Sequence, residues 1–234
     1  MKKVRLVIFL MGIVGLLAVS NWIYQVVNNP AVLLNIFGQD SYKSTRSTWK
    51  TYGDLFESHA TPVLTPKFLA ALAQVESAGN PMVTPQWRWR LTSNILRIYA
   101  PASTSAGLYQ YTRPTFVDAK RFCIHNHKVV LKGLILDPTA CWFNIFYSRF
   151  WPSHAIEMTS ARLHYYQQKI VDRRTSGNAS LPDRQKLAAV IHLCGLKKGD
   201  RFAKAGYKFN AIGRCGSHNP QSYYKRIRAF QKRF

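Results

Sequence analysis

Thr65-Pro66-Lys67-Phe68-Leu69-Ala70-Ala71-Leu72-Ala73-Gln74-Val75-Glu76-Ser77-Ala78-Gly79-Asn80-Pro81 is the stretch of this chain with the clearest start, face and stop. Thr65 is a good N-cap, and Pro66 stands at the first helical position, where a missing N–H does no harm. Phe68, Leu69, Leu72 and Val75 mark an apolar face, and Gly79-Asn80-Pro81 ends the helix. The reading is a mostly buried helix with Glu76 in its last turn. An apolar surrounding favours a protonated carboxylic acid, the form that can protonate a leaving oxygen near neutral pH. The plainer alternative is that Glu76 caps a neighbouring group or pairs with an arginine. The whole chain has only ten acidic residues, so a carboxylate on an apolar helix stands out.

Outward from this helix the pattern stays helical. Thr48 to Ser58, with Trp49, Tyr52 and Leu55, reads as a short helix before it. Met82 to Ser105 reads as irregular, rich in aromatics and arginine, and holds Trp87-Arg88-Trp89-Arg90. Arg113-Pro114-Thr115 opens a helix through about Phe122. Two more are expected over Cys141 to Phe150 and Pro152 to Val171, the second with a long amphipathic pattern. A turn around Ser176-Gly177-Asn178 precedes a helix from Pro182 to about Leu193, and Ser222 to the C-terminus is a final basic helix. There is little strand alternation, so a mainly α fold of short helices follows.

At the N-terminus, Lys2, Lys3 and Arg5 precede an uncharged run from Leu6 to Val27. About 20 apolar residues suffice for a helix to cross a bilayer. The basic flank is expected in the cytoplasm and the rest of the chain outside it. A cleaved signal peptide is the rival reading, since Ala18 and Ser20 sit like the small residues of a cleavage site. The anchor is favoured because the uncharged run continues through Trp22, Ile23 and Tyr24. Three parts result: an anchor over 1–27, a stalk over 28–46 with Asn29-Pro30 and Gly38, and a domain over 47–234. Export makes nucleic acid a poor explanation for a formal charge of +23, and an acidic envelope polymer or anionic lipid a better one. Four cysteines fit disulfides in an oxidising compartment. Pairing Cys123 with Cys141 and Cys194 with Cys215 closes the shortest loops. Cys123, His125, His127 and Cys141 are possible zinc ligands, but their spacing fits no common structural zinc pattern.

Two motifs now acquire a family likeness. Ala73-Gln74-Val75-Glu76-Ser77-Ala78-Gly79-Asn80-Pro81 resembles the glutamate–serine motif of the soluble-lytic-transglycosylase domains. Ser105-Ala106-Gly107-Leu108-Tyr109-Gln110-Tyr111-Thr112 resembles that family's second, glycine-leucine-x-glutamine motif. The resemblance covers roughly Pro62 to the C-terminus and thins after Thr115. It implies a goose-lysozyme-like helical fold and cleavage of the β-1,4 bond between N-acetylmuramic acid and N-acetylglucosamine in peptidoglycan. By that resemblance Glu76 matches the catalytic acid. Ser77 assists the substrate's N-acetyl group or fixes the glutamate, and Gly107, Leu108, Tyr109 and Gln110 match the segment lining the glycan cleft. Where many relatives have an alanine-tyrosine-asparagine-x-glycine stretch, this chain has Ala188-Ala189-Val190-Ile191-His192-Leu193-Cys194-Gly195. His192 therefore either lines the cleft or is a packed helix histidine. Tyr223-Tyr224-Lys225-Arg226-Ile227 resembles the terminal element whose tyrosine hydrogen-bonds the catalytic carboxyl, with Tyr223 the better match and Tyr224 the reserve. The long gap between Glu76 and Gln110 suggests an insertion whose Trp87 and Trp89 stack on sugar or pack in the core.

The chemistry implied needs one carboxyl group. Most glycoside hydrolases use two carboxylates, and no second acid stands in a recognised partner position; Asp118 reads as a solvent-facing charge. In the family's mechanism the acid protonates the leaving oxygen while the muramyl N-acetyl group stabilises the oxocarbenium. The resulting carboxylate then takes the proton from the muramyl C6 hydroxyl, closing a 1,6-anhydro ring. Neither metal nor organic cofactor is required. The expected partners are peptidoglycan glycan strands and the inner membrane, with the domain in the periplasm. A tether of this kind suits an enzyme that clears space for a trans-envelope complex such as a secretion or conjugation apparatus. The alternatives are a hydrolysing muramidase or phage-type endolysin on the same fold, and an idle glycan-binding scaffold. From Leu196 onward eleven Lys or Arg residues face one acid, Asp200, an imbalance that points to an anionic polymer or a partner protein.

Overall fold

A computed structural model describes residues 2–28, 33, 42–131, 133, 140–175 and 178–234. Most of the expected stalk, and Ser176 and Gly177 of the expected turn, lie outside the described residues. Eight α-helices are described: α1 (Lys2–Asn28), α2 (Thr45–Ser58), α3 (Pro66–Ser77), α4 (Arg113–Ala119), α5 (Pro152–Thr175), α6 (Leu181–Cys194), α7 (Leu196–Lys204) and α8 (Pro220–Gln231). Two antiparallel hairpins interrupt them, β1 (Trp87–Trp89) with β2 (Tyr99–Pro101), and β3 (Phe122–His125) with β4 (Lys128–Leu131). The protein is mainly helical with a long apolar helix at its N-terminus. α1 is long and apolar enough to span a membrane or act as a signal anchor, with a mean hydropathy of 2.3 over its best window.

α3 forms as its caps dictate. The Thr65 hydroxyl accepts from Phe68 N at 3.4 Å, and Pro66 occupies the first turn. The helix stops where Ala78 and Gly79 take left-handed backbone, at φ 49° and 71°, the usual way of turning a chain out of a helix. A side chain at Gly79 would place its Cβ 2.2 Å from Thr48 Oγ1, so the glycine also lets α2 close onto the end of α3. Thr48 in turn donates to Gln74 Oε1 at 2.8 Å.

Phe68 to Ala73 are fully buried, and α3 packs against α2 and α8. α5, α6 and α7 complete the core with Ile156, Leu163, Leu187, Val190 and Phe202. The cysteines are paired as Cys123–Cys141 and Cys194–Cys215, with Cα separations of 5.5 and 5.3 Å. The first bridge takes Cys123 and Cys141 out of any metal-ligand set. The second ties the end of α6 to the loop before α8.

Two sequence expectations, for Met82 to Ser105 and for Cys141 to Phe150, are corrected, and two further elements are present. Met82 to Ser105 contains the β1–β2 hairpin, and Phe122 to Leu131 forms β3–β4. Cys141 to Phe150 is a 3-10 turn at Trp142–Phe146 and otherwise irregular rather than an α-helix. Leu196–Lys204 is an additional helix, with Phe202 and Ala203 buried.

Candidate active site

Glu76 is delivered by the last turn of α3 and meets side chains from two helices remote in sequence. Tyr223, in the first turns of α8, donates its phenol to Glu76 Oε1. His192, in the last turn of α6, places Nε2 3.3 Å from the same oxygen. Both groups are confined: the His192 side chain is 8% exposed and that of Glu76 15%. Among the described residues no hydrogen bond reaches Glu76 Oε2, so one carboxyl oxygen is held and the other is available.

The helices are locally built for this delivery. Asn219 caps α8 by accepting from Ser222 N at 3.0 Å, and Pro220 follows, which fixes where Tyr223 falls in the first turn. Ser180 caps α6 by accepting from Asp183 N at 3.3 Å. Burial first, and then the neighbouring Glu76 charge, push the Tyr223 phenol well above its ordinary value, so it remains a donor across the physiological range. Tyr224, the reserve candidate, donates instead to Pro182 O at 3.5 Å at the start of α6.

Ser77 is buried, and its Oγ lies 3.1 Å from Ala73 O and 2.8 Å from Leu108 O. Its hydroxyl joins the end of the Glu76 helix to the segment carrying the second motif. That places Ser77 as a fixing residue for α3. The second motif is itself a tight loop. Gly107 has φ +85°, and a Cβ there would stand 2.1 Å from Arg149 O. Its close backbone approach is thus to the chain's own carbonyl. Leu108 and Tyr109 are fully buried, and Tyr109 donates to Leu69 O at 3.1 Å on α3. Their side chains serve the core and present no surface to a glycan, which corrects the expectation that they line the cleft. Gln110 also works inside the loop. Its Nε2 donates to Val83 O and Gly107 O, both at 3.0 Å, and its Oε1 accepts from Ser105 Oγ at 3.2 Å.

Two further residues support the site: Arg149, which no motif carries, and Tyr111, which lies in the second motif without a role assigned to it. Arg149 donates to Thr104 O and Tyr111 O at 2.8 Å, bracing both flanks of the second motif. Tyr111, nearly fully buried, sets its ring 6.4 Å from that of His192, which connects the motif to α6. Asp118 is not a solvent-facing charge. It accepts from Arg162 Nε at 2.7 Å and from the Tyr166 hydroxyl at 2.8 Å, so its charge is already matched within α4 and α5. Trp87 and Trp89 pack at a tilt against Tyr99 across their own hairpin, with centroids 5.2 and 4.8 Å away.

Hollows of about 600 and 580 Å³ open elsewhere on the molecule, and Glu76 lines neither. The site is marked by side chains that converge on one carboxyl from α3, α6 and α8. The arrangement can hold one carboxyl in a set orientation and shuttle a proton through its free oxygen. No protein-family model matches the chain, and neither a curated protein nor a solved structure matches it.

Proposed function

We propose that the protein is a peptidoglycan lytic transglycosylase of goose-lysozyme-like fold, with Glu76 as its acid and base. The observation that carries this reading is the Tyr223 phenol on the Glu76 carboxyl. The resemblance of two short motifs selects Glu76, and the terminal tyrosine that the same resemblance singles out is the one that reaches it. Chance packing does not readily produce that agreement across the core.

In this reading Tyr223 and His192 hold Oε1, and Oε2 carries the proton to the glycosidic oxygen between N-acetylmuramic acid and N-acetylglucosamine. The bond to the muramyl C1 breaks, and the muramyl N-acetyl oxygen shares the positive charge that develops there. The Glu76 carboxylate then accepts the C6 hydroxyl proton as the C6 oxygen bonds to C1, leaving a 1,6-anhydro end. Atoms and charge balance without water, and one carboxyl serves both steps. Ser77, Gly107 and Gln110 keep that carboxyl in place by building the loop against the end of α3.

α1 fits an uncleaved inner-membrane anchor. Lys2, Lys3 and Arg5 remain on the cytoplasmic side, and the domain works on glycan strands from the periplasm, where both disulfides are stable. Restriction to the membrane side of the wall suits local remodelling around a trans-envelope complex. The test is product chemistry: full-length protein in detergent is incubated with sacculi and the released muropeptides are weighed by mass spectrometry. Anhydro-muramyl ends are expected. Reducing muramyl ends would mean water is the nucleophile and the protein is a muramidase, and no release would leave a glycan-binding scaffold.

A further inference from the structure

The β1–β2 hairpin packs along α1. Asn21 Nδ2 donates to Tyr99 O at 2.8 Å, and Gln25 Nε2 to Leu96 O at 2.5 Å. Two hollows lie between the hairpin and the helix, and their order along α1 is informative. One of about 520 Å³ is lined by Val14, Leu17 and Trp22 of α1 and by Trp87, Trp89 and Ile95 of the hairpin. The other, about 300 Å³ and closer to the C-terminal end of α1, is lined by Tyr24 and Gln25 with Arg90 and Arg97. The hairpin is thus apolar and aromatic where α1 is apolar, and cationic where α1 turns polar.

Much of the hairpin's apolar surface is open. Trp89 is 75% exposed, Ile95 65% and Leu91 fully exposed. Large apolar side chains gathered next to a bare apolar helix mark a membrane or partner contact. Continuity decides between the two: the patch runs onto α1, whose own apolar surface calls for lipid, and its polarity changes along the axis that would be the bilayer normal. Aromatics at the interface with arginines beside them on the headgroup side is the pattern of membrane-facing belts. At 1.5 Å rise per residue, the lining of the apolar hollow on α1 runs from Trp22, about 5 Å below Gln25, to Leu17 and Val14, about 12 and 16 Å below it. Its shallow part matches the roughly 5–10 Å to which interfacial elements bury their apolar faces. A two-stranded hairpin has open edges that hydrocarbon cannot satisfy, so the interface is as deep as it can go.

We infer that the Trp87–Pro101 hairpin is a second membrane element, which inserts Trp89, Leu91 and Ile95 into the outer-facing leaflet beside α1 and sets Arg97 at phospholipid phosphates, while Arg90 ties the hairpin to Pro101 O and Ala102 O. This rests on α1 being retained as the anchor. A single helix leaves the domain free to swing, whereas two contacts fix its orientation on the bilayer.

The experiment uses the full chain in vesicles of phosphatidylethanolamine and phosphatidylglycerol. An environment-sensitive fluorophore is placed at Ile95→Cys, with Leu91→Cys as a second site because full exposure makes that substitution harmless to packing. All four native cysteines are paired, so labelling is specific. Nitroxides on the acyl chains are expected to quench either label at least about twofold more than aqueous iodide does, as for a group seated below the headgroups. A label at Lys232→Cys, just past the end of α8, serves as the aqueous control. Iodide quenching equal to that control would overturn the proposal, and shielding from both quenchers would overturn it in favour of a covering protein. Intact mass and carbonate extraction of the same samples separate the two failures. A full-length, carbonate-resistant protein with a water-quenched label rejects the hairpin alone, and a mass lacking the N-terminal segment rejects the anchor with it.

Discussion

Around Glu76, each residue has a distinguishable task. Tyr223 donates to Glu76 Oε1, which in the proposed mechanism belongs to a carboxyl that alternates between acid and carboxylate, and hydrogen bonds to charged groups contribute about 1.5–3 kcal/mol. Tyr223→Phe is therefore expected to lower the turnover of glycan strands roughly tenfold to a hundredfold, at about 1.4 kcal/mol per factor of ten, in a variant that still folds and loses no more stability than that one bond contributes. Steady-state rates beside a melting curve check this, and an unchanged rate would remove Tyr223 from the mechanism. Gly107 predicts the opposite profile. Its left-handed backbone, and an Arg149 carbonyl 2.1 Å from where a Cβ would stand, leave no room for a side chain. Gly107→Ala should destabilise the fold by about 1–3 kcal/mol from conformation alone, read in a denaturant titration. Of these residues, Glu76, Ser77 and Tyr223 were legible in the sequence, because short motifs carry them. The work of Gly107 and Gln110 was not, since it depends on Arg149 and Val83, whose approach to the loop no local pattern announces. Leu108 and Tyr109 show the same limit: a motif marks a segment, and only packing decides which of its side chains face outward.

Among the elements, legibility followed length and capping. α3 was readable because Thr65, Pro66, an apolar face and Gly79 all agree. The hairpins were not, because strands of three or four residues are too short to display alternation. β1–β2 leans on α1 and β3–β4 on a disulfide, and both supports are remote. α7 was lost in the basic composition that hides its buried Phe202. The Cys194–Cys215 bridge acts at this scale, since it fastens the end of α6 close to His192. Replacing both cysteines by serine should lower stability by about 2–4 kcal/mol. It should also reduce activity more than replacement of Cys123 and Cys141, because the end of α6 carries a group that touches Glu76. Calorimetry and muropeptide release on the two double variants check this; equal activity losses would contradict it.

At the scale of the whole molecule, charge and apolar surface are segregated. α1 and the β1–β2 hairpin carry much of the exposed apolar surface, and the C-terminal third carries an excess of cations. Past α6 the single acid, Asp200, is already paired with Arg174 at 2.5 Å and Arg173 at 3.6 Å from α5. Lys197, Lys204 and Lys208 are exposed, and Lys204 shares Asp200 with Arg174 and Arg173. Reversing these three to glutamate is expected to weaken retention on sacculi several-fold at low salt and much less at high salt, where surface charges are screened; salt-independent retention in a pulldown would contradict it. The total charge and the long apolar N-terminal helix were legible in the sequence, whereas the hairpin's place beside α1 was not.

The most direct test of the central claim compares full-length protein with Glu76→Gln on purified sacculi, by mass spectrometry of the released muropeptides. Glutamine keeps the size and the hydrogen-bonding capacity of the side chain but carries no transferable proton. The account predicts anhydro-muramyl products from the native protein and a loss of roughly 10²–10⁴-fold in the variant, the usual contribution of a positioned acid or base. Equal release from both proteins, with the variant folded as the native chain is, would contradict it.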